Sequence, residues 1–214
     1  MEKIKNFIKS LGSSRYLIHR IQKRFIVNFV KSRNFNTVVD VGAGKSPYRK
    51  FVKCEKYIGV DIENRGGVEN LILADINKGI PLDDETADLV IMTEVLEHLR
   101  EPKFVLGEIF RILKKGGVLL LTTPMTWPLH EVPNDFFRYT CFGLRYLLEE
   151  AGFIDIKIKP GNKNSITLVQ LVIQSLRRPI FKPFVVVFNL LGLVILKLFP
   201  EVRNDMTTNL PIDY

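Results

Sequence analysis

The feature that most constrains the fold is an alternation of short apolar runs with segments of helical periodicity, between about residues 37 and 159. The first four apolar runs are continuous rather than alternating, which is typical of strands covered on both faces. The alternation predicts an α/β protein with an open, mostly parallel sheet between helices. The predicted strands are 37–41, 57–62, 70–75, 87–92, 118–122 and 153–159.

Helical periodicity predicts three helices in or beside this sheet. Apolar residues from 15 to 30 recur at steps of three and four, with basic residues opposite, as in an amphipathic helix. A second helix is predicted over 102–113, with its last turn and end at 114–117. Thr140 is the predicted N-cap of a third helix, which ends at Gly152.

The net charge of +8 is concentrated at the start of the chain. Residues 1–33 contain nine basic residues and one acidic residue, whereas the remainder has 22 of each. A protein that binds a polyanion is expected to carry basic charge across its body, so the charge argues against a nucleic-acid substrate. We predict a basic helical leader over 1–35, a nucleotide-binding domain over 36–160 and a helical, apolar extension over 161–214.

The extension contains a long apolar segment at 183–199, whose only polar side chains are Asn189 and Lys197. At ~1.5 Å per residue a helix here is roughly 25 Å long, shorter than the ~30 Å hydrocarbon core. A buried helix is the leading prediction. A helix lying on a membrane surface beside the basic leader and a homodimer surface are the alternatives. Cys54 and Cys141 are predicted to be reduced thiols of a cytoplasmic protein, with peripheral membrane attachment as the variant.

Three features mark one edge of the predicted sheet as a ligand site. The first strand runs into Asp40-Val-Gly-Ala-Gly44, where glycines let the backbone approach a ligand. The second strand ends at Asp61, a carboxylate that can accept both hydroxyls of a ribose, and the third ends at Asp75. In open parallel sheets ligands bind at the carboxyl ends of the strands, so these residues predict a nucleotide site.

The ordered set of motifs resembles class I S-adenosylmethionine-dependent methyltransferases, of the type 11 kind. The segments that carry the resemblance are 38–44, 59–61, 74–75, 87–99 and 111–124, within about 36–159. The resemblance implies a Rossmann-like three-layer α/β/α sandwich and S-adenosylmethionine as cofactor. It also implies a reversed edge strand and no tightly bound metal. Residues 210–214 stand where the family's seventh strand would only be starting, so that strand is expected to be truncated or missing.

The resemblance also implies roles for individual residues. Asp61 is expected to hold the ribose, Asp75 and Ile76 to flank the adenine, and the Thr93-Glu94 backbone to lie near the methionine end. Ser46 replaces a third glycine found in many members, which also weakens the reading as a nicotinamide dehydrogenase. The residues expected at the cofactor are Asp40, Gly42, Ala43, Gly44, Asp61, Ile62, Asp75, Ile76, Thr93 and Glu94.

The acceptor is expected beside residues 123–140, a loop rich in Pro, Trp, His and Asp. His130 is the candidate general base, and Asp135 is the second catalytic candidate. In the alternative, Asp135 pairs with Arg138 and His130 only orders the loop. His98 either faces the sulfonium or packs within the protein. No cluster of His, Cys and carboxylates has the sequence spacing of metal ligands, so no metal is predicted.

The leading functional hypothesis is O-methylation of a small molecule or glycan, including one attached to a lipid carrier. The alternative is a catalytically silent module that binds the nucleotide and acts as a scaffold or partner. A nucleic-acid methyltransferase ranks third, because the predicted domain is neutral apart from its leader.

Overall fold

The computed structural model describes residues 7, 9–161, 164–176 and 181–198. The chain forms two compact units, one of residues 25–156 and one built from 1–24 together with 157–214. Residues 210–214, the expected start of a seventh strand, lie outside the described residues.

The larger unit is built on a five-stranded sheet in the order β3-β2-β1-β4-β5. All four strand pairings are parallel. This confirms the predicted α/β class with a parallel sheet. The reversed edge strand that the resemblance implied is absent from the described residues. The strands are β1 (Asn34–Val41), β2 (Lys53–Asp61), β3 (Leu71–Leu73), β4 (Ala87–Thr93) and β5 (Leu113–Thr122).

Side chains on the two faces of the sheet contribute to separate cores. On one face the end of α1 (Tyr16–Val30) buries Ile26 and Val30 against strand residues such as Leu89 and Ile91. On the other face lie two more helices, α2 (Pro102–Ile112) and α3 (Cys141–Glu150). The members of that second core with no measurable exposure are Val39, Val41, Val60, Ala87, Val90, Met92, Leu96, Val105, Leu106, Ile109 and Ile112.

The strand order reverses between β1 and β4, the central pair of the sheet. The chain runs outward through β2 and β3 on one side, then crosses to β4 and β5 on the other. At such a switch point the connecting loops leave in opposite directions and open a crevice at the carboxyl ends of the strands. The glycine turn after β1 and the end of β4 at Thr93-Glu94 therefore border the crevice.

The helix before β5 ends earlier than predicted. The prediction that residues 114–117 form the last turn and end of this helix is wrong, because α2 stops at Ile112 and Leu113 already pairs with Ala87 in the sheet. Gly116 has φ +76°, and the pairing register shifts between Ala87 and Leu89, so this glycine lies where the strand is irregular. The predicted cap of α3 is confirmed, since the Thr140 side chain accepts the N–H of Gly143 at 3.1 Å.

The predicted sixth strand over 153–159 is also wrong. No residue of that segment pairs with the sheet. Asp155 has φ +53°, a left-handed conformation that regular strand pairing does not use. Phe153 and Ile156 instead pack against the sheet core, with Phe153 edge-on to Phe110 at a centroid distance of 5.4 Å.

The smaller unit is helical and has its own apolar core. Leu17 of α1 packs with residues of α4 (Asn164–Ser175) and α5 (Lys182–Leu198). Asn189 of α5 is fully buried and donates hydrogen bonds to the carbonyls of Leu11 (2.7 Å) and Ser13 (3.0 Å). Among the described residues no helix combines the length and the apolarity needed to cross a membrane.

Candidate cofactor and acceptor site

The turn after β1 is fixed to the neighbouring strand by its backbone. The N–H groups of Gly42 (2.8 Å) and Ala43 (3.2 Å) both donate to the carbonyl of Val60 in β2. Gly42 and Gly44 have φ +68° and +54°, a region that favours glycine. A side chain at Gly42 would overlap Val95, whereas the position in front of Gly44 is open. The turn is therefore rigid behind Gly42 and accessible at Gly44.

Asp40 lies beneath this turn and supports it. Its carboxylate is buried and accepts the hydroxyls of Tyr57 (2.6 Å) and Ser46 (2.9 Å). Burial raises the pKa of Asp40 to about 6, against the two hydrogen bonds that lower it. Ser46 has φ +44°, so the residue in the position of the expected third glycine adopts a glycine-like conformation. Asp40, one of the expected cofactor residues, is therefore buried under the turn and stabilises its conformation through these hydrogen bonds.

Asp61 stands at the end of β2, beside the accessible part of the turn. One carboxylate oxygen accepts the N–H of Gly44 (2.8 Å) and the other accepts the N–H of Glu63 (3.1 Å). A carboxylate oxygen has two lone pairs, so each oxygen keeps one for a further donor. Ile62, the next residue, is 71% exposed, which is unusual for isoleucine. Asp61 and Ile62 therefore place a carboxylate, held by two backbone N–H groups, next to an exposed apolar side chain.

The other expected cofactor residues also border the carboxyl edge of the sheet, in different environments. The Asp75 side chain accepts the N–H of Asn77 (3.1 Å), and hydrogen bonding to Asn77 is the main cause that lowers the pKa of this carboxyl. The side chain of Ile76 belongs to the buried core. Thr93 ends β4, and Glu94 follows with φ +54°.

The predicted acceptor loop, 123–140, is fixed to the turn after β4. The carbonyl of Glu97 accepts the N–H groups of Phe136 (2.9 Å) and Phe137 (3.2 Å). The Tyr139 hydroxyl donates to the carbonyl of Leu96 at 3.1 Å, and the Tyr139 N–H donates to Pro124. These contacts hold the loop at the carboxyl ends of β4 and β5.

Asp135 and Arg138 form a two-point ion pair inside this loop. Both oxygens of Asp135 accept a guanidinium N–H at 2.7 Å, and the Asp135 side chain is 1% exposed. The hydrogen bonds from Arg138 hold the pKa of Asp135 well below its ordinary range. Arg138 also donates to the carbonyls of Trp127 and Pro128. This geometry matches the local pairing that the sequence analysis gave as its alternative, and it fixes the fold of the loop.

The loop brings His130 against His98, which is 32 positions earlier in the chain. The two rings meet edge to face with centroids 4.8 Å apart. His98 Nδ1 lies 2.7 Å from the carbonyl of Asn134, and its Nε2 lies 3.7 Å from Glu97 Oε1. One potential ligand atom each from Glu97, His98 and His130 lies within 4.8 Å of the other two. Sequence spacing did not predict this cluster, because His130 reaches it only through the folding of the loop.

Glu97 is the most unusual ionisable group of the cluster. Its side chain is fully buried, and burial, followed by the charge of Glu94, raises its pKa to about 8. Oε2 accepts the Thr123 hydroxyl at 3.3 Å, whereas Oε1 accepts no hydrogen bond from any described residue. Burial is also the main cause that lowers the pKa of His130. Glu97 is not among the residues predicted from the sequence, although it adjoins His98.

A glycine turn after β1, an acidic residue ending β2 and a crevice at the switch point together define a Rossmann-like nucleotide-binding domain. Comparison with known proteins identifies the family that part of this domain resembles. Residues 39–121 match the sequence family described as "Methyltransferase domain". Residues 39–121 are therefore similar to a methyltransferase domain, and two of the proteins compared below are named as S-adenosylmethionine-dependent methyltransferases.

Two relatives illustrate the extent of the similarity. The chain is 38% identical over 80 residues to a "Probable S-adenosylmethionine-dependent methyltransferase" of Mycolicibacterium smegmatis, covering 35% of this chain and 31% of that protein. It is 26% identical over 140 residues to a ubiquinone/menaquinone biosynthesis C-methyltransferase of Pasteurella multocida, covering 55% of this chain and 52% of that protein. The chain thus spans about a third to a half of these relatives.

A solved structure agrees on the fold. The crystal structure of an S-adenosylmethionine-dependent methyltransferase from Aquifex aeolicus superposes with a TM-score of 0.54 at 24% identity, covering 73% of this chain and 92% of that one. The described residues also fit the cofactor chemically. The open position at Gly44 and the oriented carboxylate of Asp61 suit a ribose, and the exposed Ile62 suits an adenine ring.

Proposed function

We propose that this protein is a methyltransferase that transfers the methyl group of S-adenosylmethionine to a small-molecule or glycan acceptor. The observation that carries the proposal is the arrangement at one edge of the sheet. A nucleotide-type carboxylate, Asp61, ends β2, and a buried polar cluster built from Glu97, His98 and His130 lies beside the ends of β4 and β5. The cofactor supplies an electrophilic methyl group on a sulfonium.

In this reaction the protein's own residues position the cofactor and the acceptor and exclude water. Asp61 is expected to hold the ribose through the lone pairs left free by Gly44 and Glu63. The glycine turn is fixed in advance through Val60, so binding does not have to order it. The loop 123–140 is likewise anchored before the acceptor arrives, and alignment of the two reactants can supply much of the rate enhancement.

An oxygen acceptor is favoured over a carbon acceptor. A buried carboxyl and two imidazoles can each take or orient a hydroxyl proton, and His130 remains the proposed general base. Asp135 is proposed to act through His130, whose Nδ1 lies 3.2 Å from Asp135 Oδ2. The name of the Pasteurella relative, a C-methyltransferase, makes carbon methylation the outcome to distinguish, by locating the transferred methyl group in the product by NMR.

The cofactor site is tested by calorimetric titration of S-adenosylmethionine and S-adenosylhomocysteine into the wild-type chain and Asp61→Asn. The substitution keeps the shape but removes the charge that strengthens the ribose hydrogen bonds. We expect a loss of about 2 kcal/mol, or about 30-fold in Kd. Asp83→Asn, an exposed aspartate, is the matched control and is expected to bind as wild type. Equal binding by Asp61→Asn would refute the assigned site.

Methyl transfer itself is tested with cofactor carrying a labelled methyl group and extracts of small molecules, glycans and lipid-linked glycans. Labelled product that depends on Asp61 supports the enzyme. Tight cofactor binding without labelled product in any of these fractions would contradict the proposal and favour the silent scaffold.

We further propose that the smaller unit attaches the protein to an anionic membrane surface, on the cytoplasmic side. Several apolar side chains of α5 are 44–66% exposed. The basic residues Arg20, Lys23 and Arg24 of α1, which belong to the same unit, are exposed as well. Apolar insertion and basic charge together give interfacial binding. The exposed apolar residues are Phe184, Val187, Leu190, Leu191, Val194 and Leu198.

Vesicle flotation at low salt tests this proposal. We expect enrichment with anionic over neutral vesicles, and its loss in Phe184→Ser combined with Val194→Ser. Ile154→Ser is the matched control, because Ile154 is 85% exposed but belongs to the larger unit. Flotation that is equal for anionic and neutral vesicles would exclude this attachment. A concentration-dependent dimer by sedimentation would instead support the homodimer surface.

A further inference from the structure

The cluster of Glu97, His98 and His130 combines one carboxylate with two imidazoles in a small volume. The Glu97 side chain has no exposed surface, and Oε1 accepts no hydrogen bond from any described residue. A buried carboxylate oxygen without a donor is unfavourable unless a cation or a proton compensates it. Oε1 lies 3.7 Å from His98 Nε2, so it is directed into the cluster.

The distances suit a single shared ion. Two atoms bound to one Zn²⁺ at about 2.1 Å in tetrahedral geometry lie about 3.4 Å apart. The 3.7 Å between Glu97 Oε1 and His98 Nε2 is close to this value, and the His130 ligand atom lies within 4.8 Å of both. A small movement of the His130 ring would bring all three atoms to coordination distance.

The partners around the cluster orient each ligand. A carbonyl can only accept, so the 2.7 Å contact with Asn134 places a proton on His98 Nδ1 and leaves the Nε2 lone pair toward Glu97. Asp135 Oδ2 lies 3.2 Å from His130 Nδ1, a buried nitrogen that makes no hydrogen bond with any described residue, and it accepts the backbone N–H of His130 at 3.0 Å. The Thr123 hydroxyl donates to the second oxygen of Glu97. Such outer partners are typical of histidine and carboxylate ligands in metal sites.

We propose that Glu97, His98 and His130 bind one divalent first-row transition-metal ion of the Zn²⁺ type. Two imidazoles and one carboxylate favour Zn²⁺, Fe²⁺ or Co²⁺ over Mg²⁺ and Ca²⁺, which prefer oxygen ligands. The carboxylate of Glu131, 53% exposed and 3.8 Å from His98 Nε2, can approach as a fourth ligand. Three fixed protein ligands otherwise leave a coordination position open for a ligand from outside.

With the ion bound, His130 is a ligand rather than the general base, so activation of the acceptor oxygen falls to the ion. The open position then also specifies the acceptor, an inference that rests on the proposed methyltransferase function. It favours an acceptor that offers a hydroxyl or enol oxygen as a further ligand, because such oxygens bind divalent ions whereas a carbon acceptor does not. The acceptor would then be located by the ion and by the loop 123–140.

The test is calorimetric titration of Zn²⁺ into the full chain after treatment with a chelator and dialysis. We expect one ion per chain. Glu97→Gln and His130→Gln are each expected to raise the Kd at least 100-fold. His19→Gln, in α1, is the matched control, because His19 is the one remaining histidine of the sequence and is exposed. Far-ultraviolet circular dichroism checks that each variant is folded.

Co²⁺ provides a second readout that does not depend on affinity. Its visible absorption reports coordination by nitrogen and oxygen ligands, and the spectrum is expected to change in Glu97→Gln and His130→Gln but not in His19→Gln. Absence of stoichiometric Zn²⁺ binding, or binding that both ligand variants leave unchanged, would overturn the site.

Cofactor binding measured on the same samples separates this inference from the proposed function. Asp61→Asn is expected to lose S-adenosylmethionine and keep Zn²⁺. Retained cofactor binding without Zn²⁺ binding would overturn only the metal site, whereas Zn²⁺ binding without cofactor binding would overturn only the methyltransferase proposal.

Discussion

The buried carboxyl of Asp40 makes the stability of the larger unit depend on pH. Its pKa is about 6 in the folded protein, against an ordinary value of 3.8, so the folded state holds the proton more tightly by about two pKa units. At 1.36 kcal/mol per unit, this corresponds to on the order of 3 kcal/mol of unfolding free energy.

The sign follows from which state loses its proton first. Below pH 3.8 Asp40 is protonated in both states, and its stabilising contribution is fully present. Between pH 3.8 and about 6 the unfolded chain ionises while the folded protein stays protonated, so stability falls as pH rises. Above about pH 6 both states are ionised and the contribution is lost.

Asp40→Asn removes this titration and keeps an oxygen that can accept from Tyr57 or Ser46. Urea unfolding of both proteins from pH 4.5 to 7.5 measures the effect. Most of the other ionisable groups cancel in the difference between the two proteins. We expect the variant to gain about 2 kcal/mol relative to wild type across this range, the part of the titration that lies above pH 4.5. The same series for Asp83→Asn, an exposed aspartate, is expected to run parallel to wild type. Parallel curves for wild type and Asp40→Asn would refute the reasoning.

Three further predictions concern single positions. Gly42 has a positive φ, and the methyl group of Gly42→Ala would overlap Val95. We therefore expect thermal unfolding to show a loss of about 2 kcal/mol in stability, together with weaker cofactor binding. The double variant with Val95→Ala is expected to recover part of this loss. Arg111→Lys loses the multidentate contacts to Glu108 and to the carbonyls of Ile80 and Leu82. Chemical unfolding should show that the free energy of unfolding falls by about 1–2 kcal/mol, and an unchanged value would contradict the reasoning. Asn189→Leu leaves the carbonyls of Leu11 and Ser13 without their donor, and hydrogen exchange should show the opening free energy of the smaller unit lowered by about 2 kcal/mol, with an unchanged value contradicting the reasoning.

The sheet was predictable because its signals are local. Continuous apolar runs marked β1 to β5, and the residues that end β1 and β2 marked the ligand edge. The prediction over 153–159 is wrong because alternation of apolar and polar residues occurs both in paired strands and in unpaired segments that cover a core. Phe153 and Ile156 pack against the core, whereas Ile154 is 85% exposed. The pattern contains no information on which neighbour a segment meets.

The site was predictable only in part, for the same reason. Asp61 is the last residue of a strand, so its position at the sheet edge could be inferred from the chain alone. The cluster of Glu97, His98 and His130 depends on a loop that returns to the turn after β4 through backbone hydrogen bonds. Backbone hydrogen bonds do not require particular residue types, so the sequence does not indicate them. The 32 positions between His98 and His130 give no indication that the two side chains meet. Asp40 was expected at the cofactor, but burial under the turn cannot be read from its position at the end of a strand.

The way in which the acceptor loop is attached bears on how this protein can evolve. Its anchors are largely main-chain atoms, of Glu97, Leu96 and Pro124, which every amino acid provides. Three side chains of the loop, Met125, Leu129 and Val132, are 65–73% exposed. Under the proposed function, substitution at these exposed positions changes which acceptor is recognised while the anchors and the cofactor pocket persist. Acceptor preference is then free to diverge among descendants of this chain faster than the cofactor.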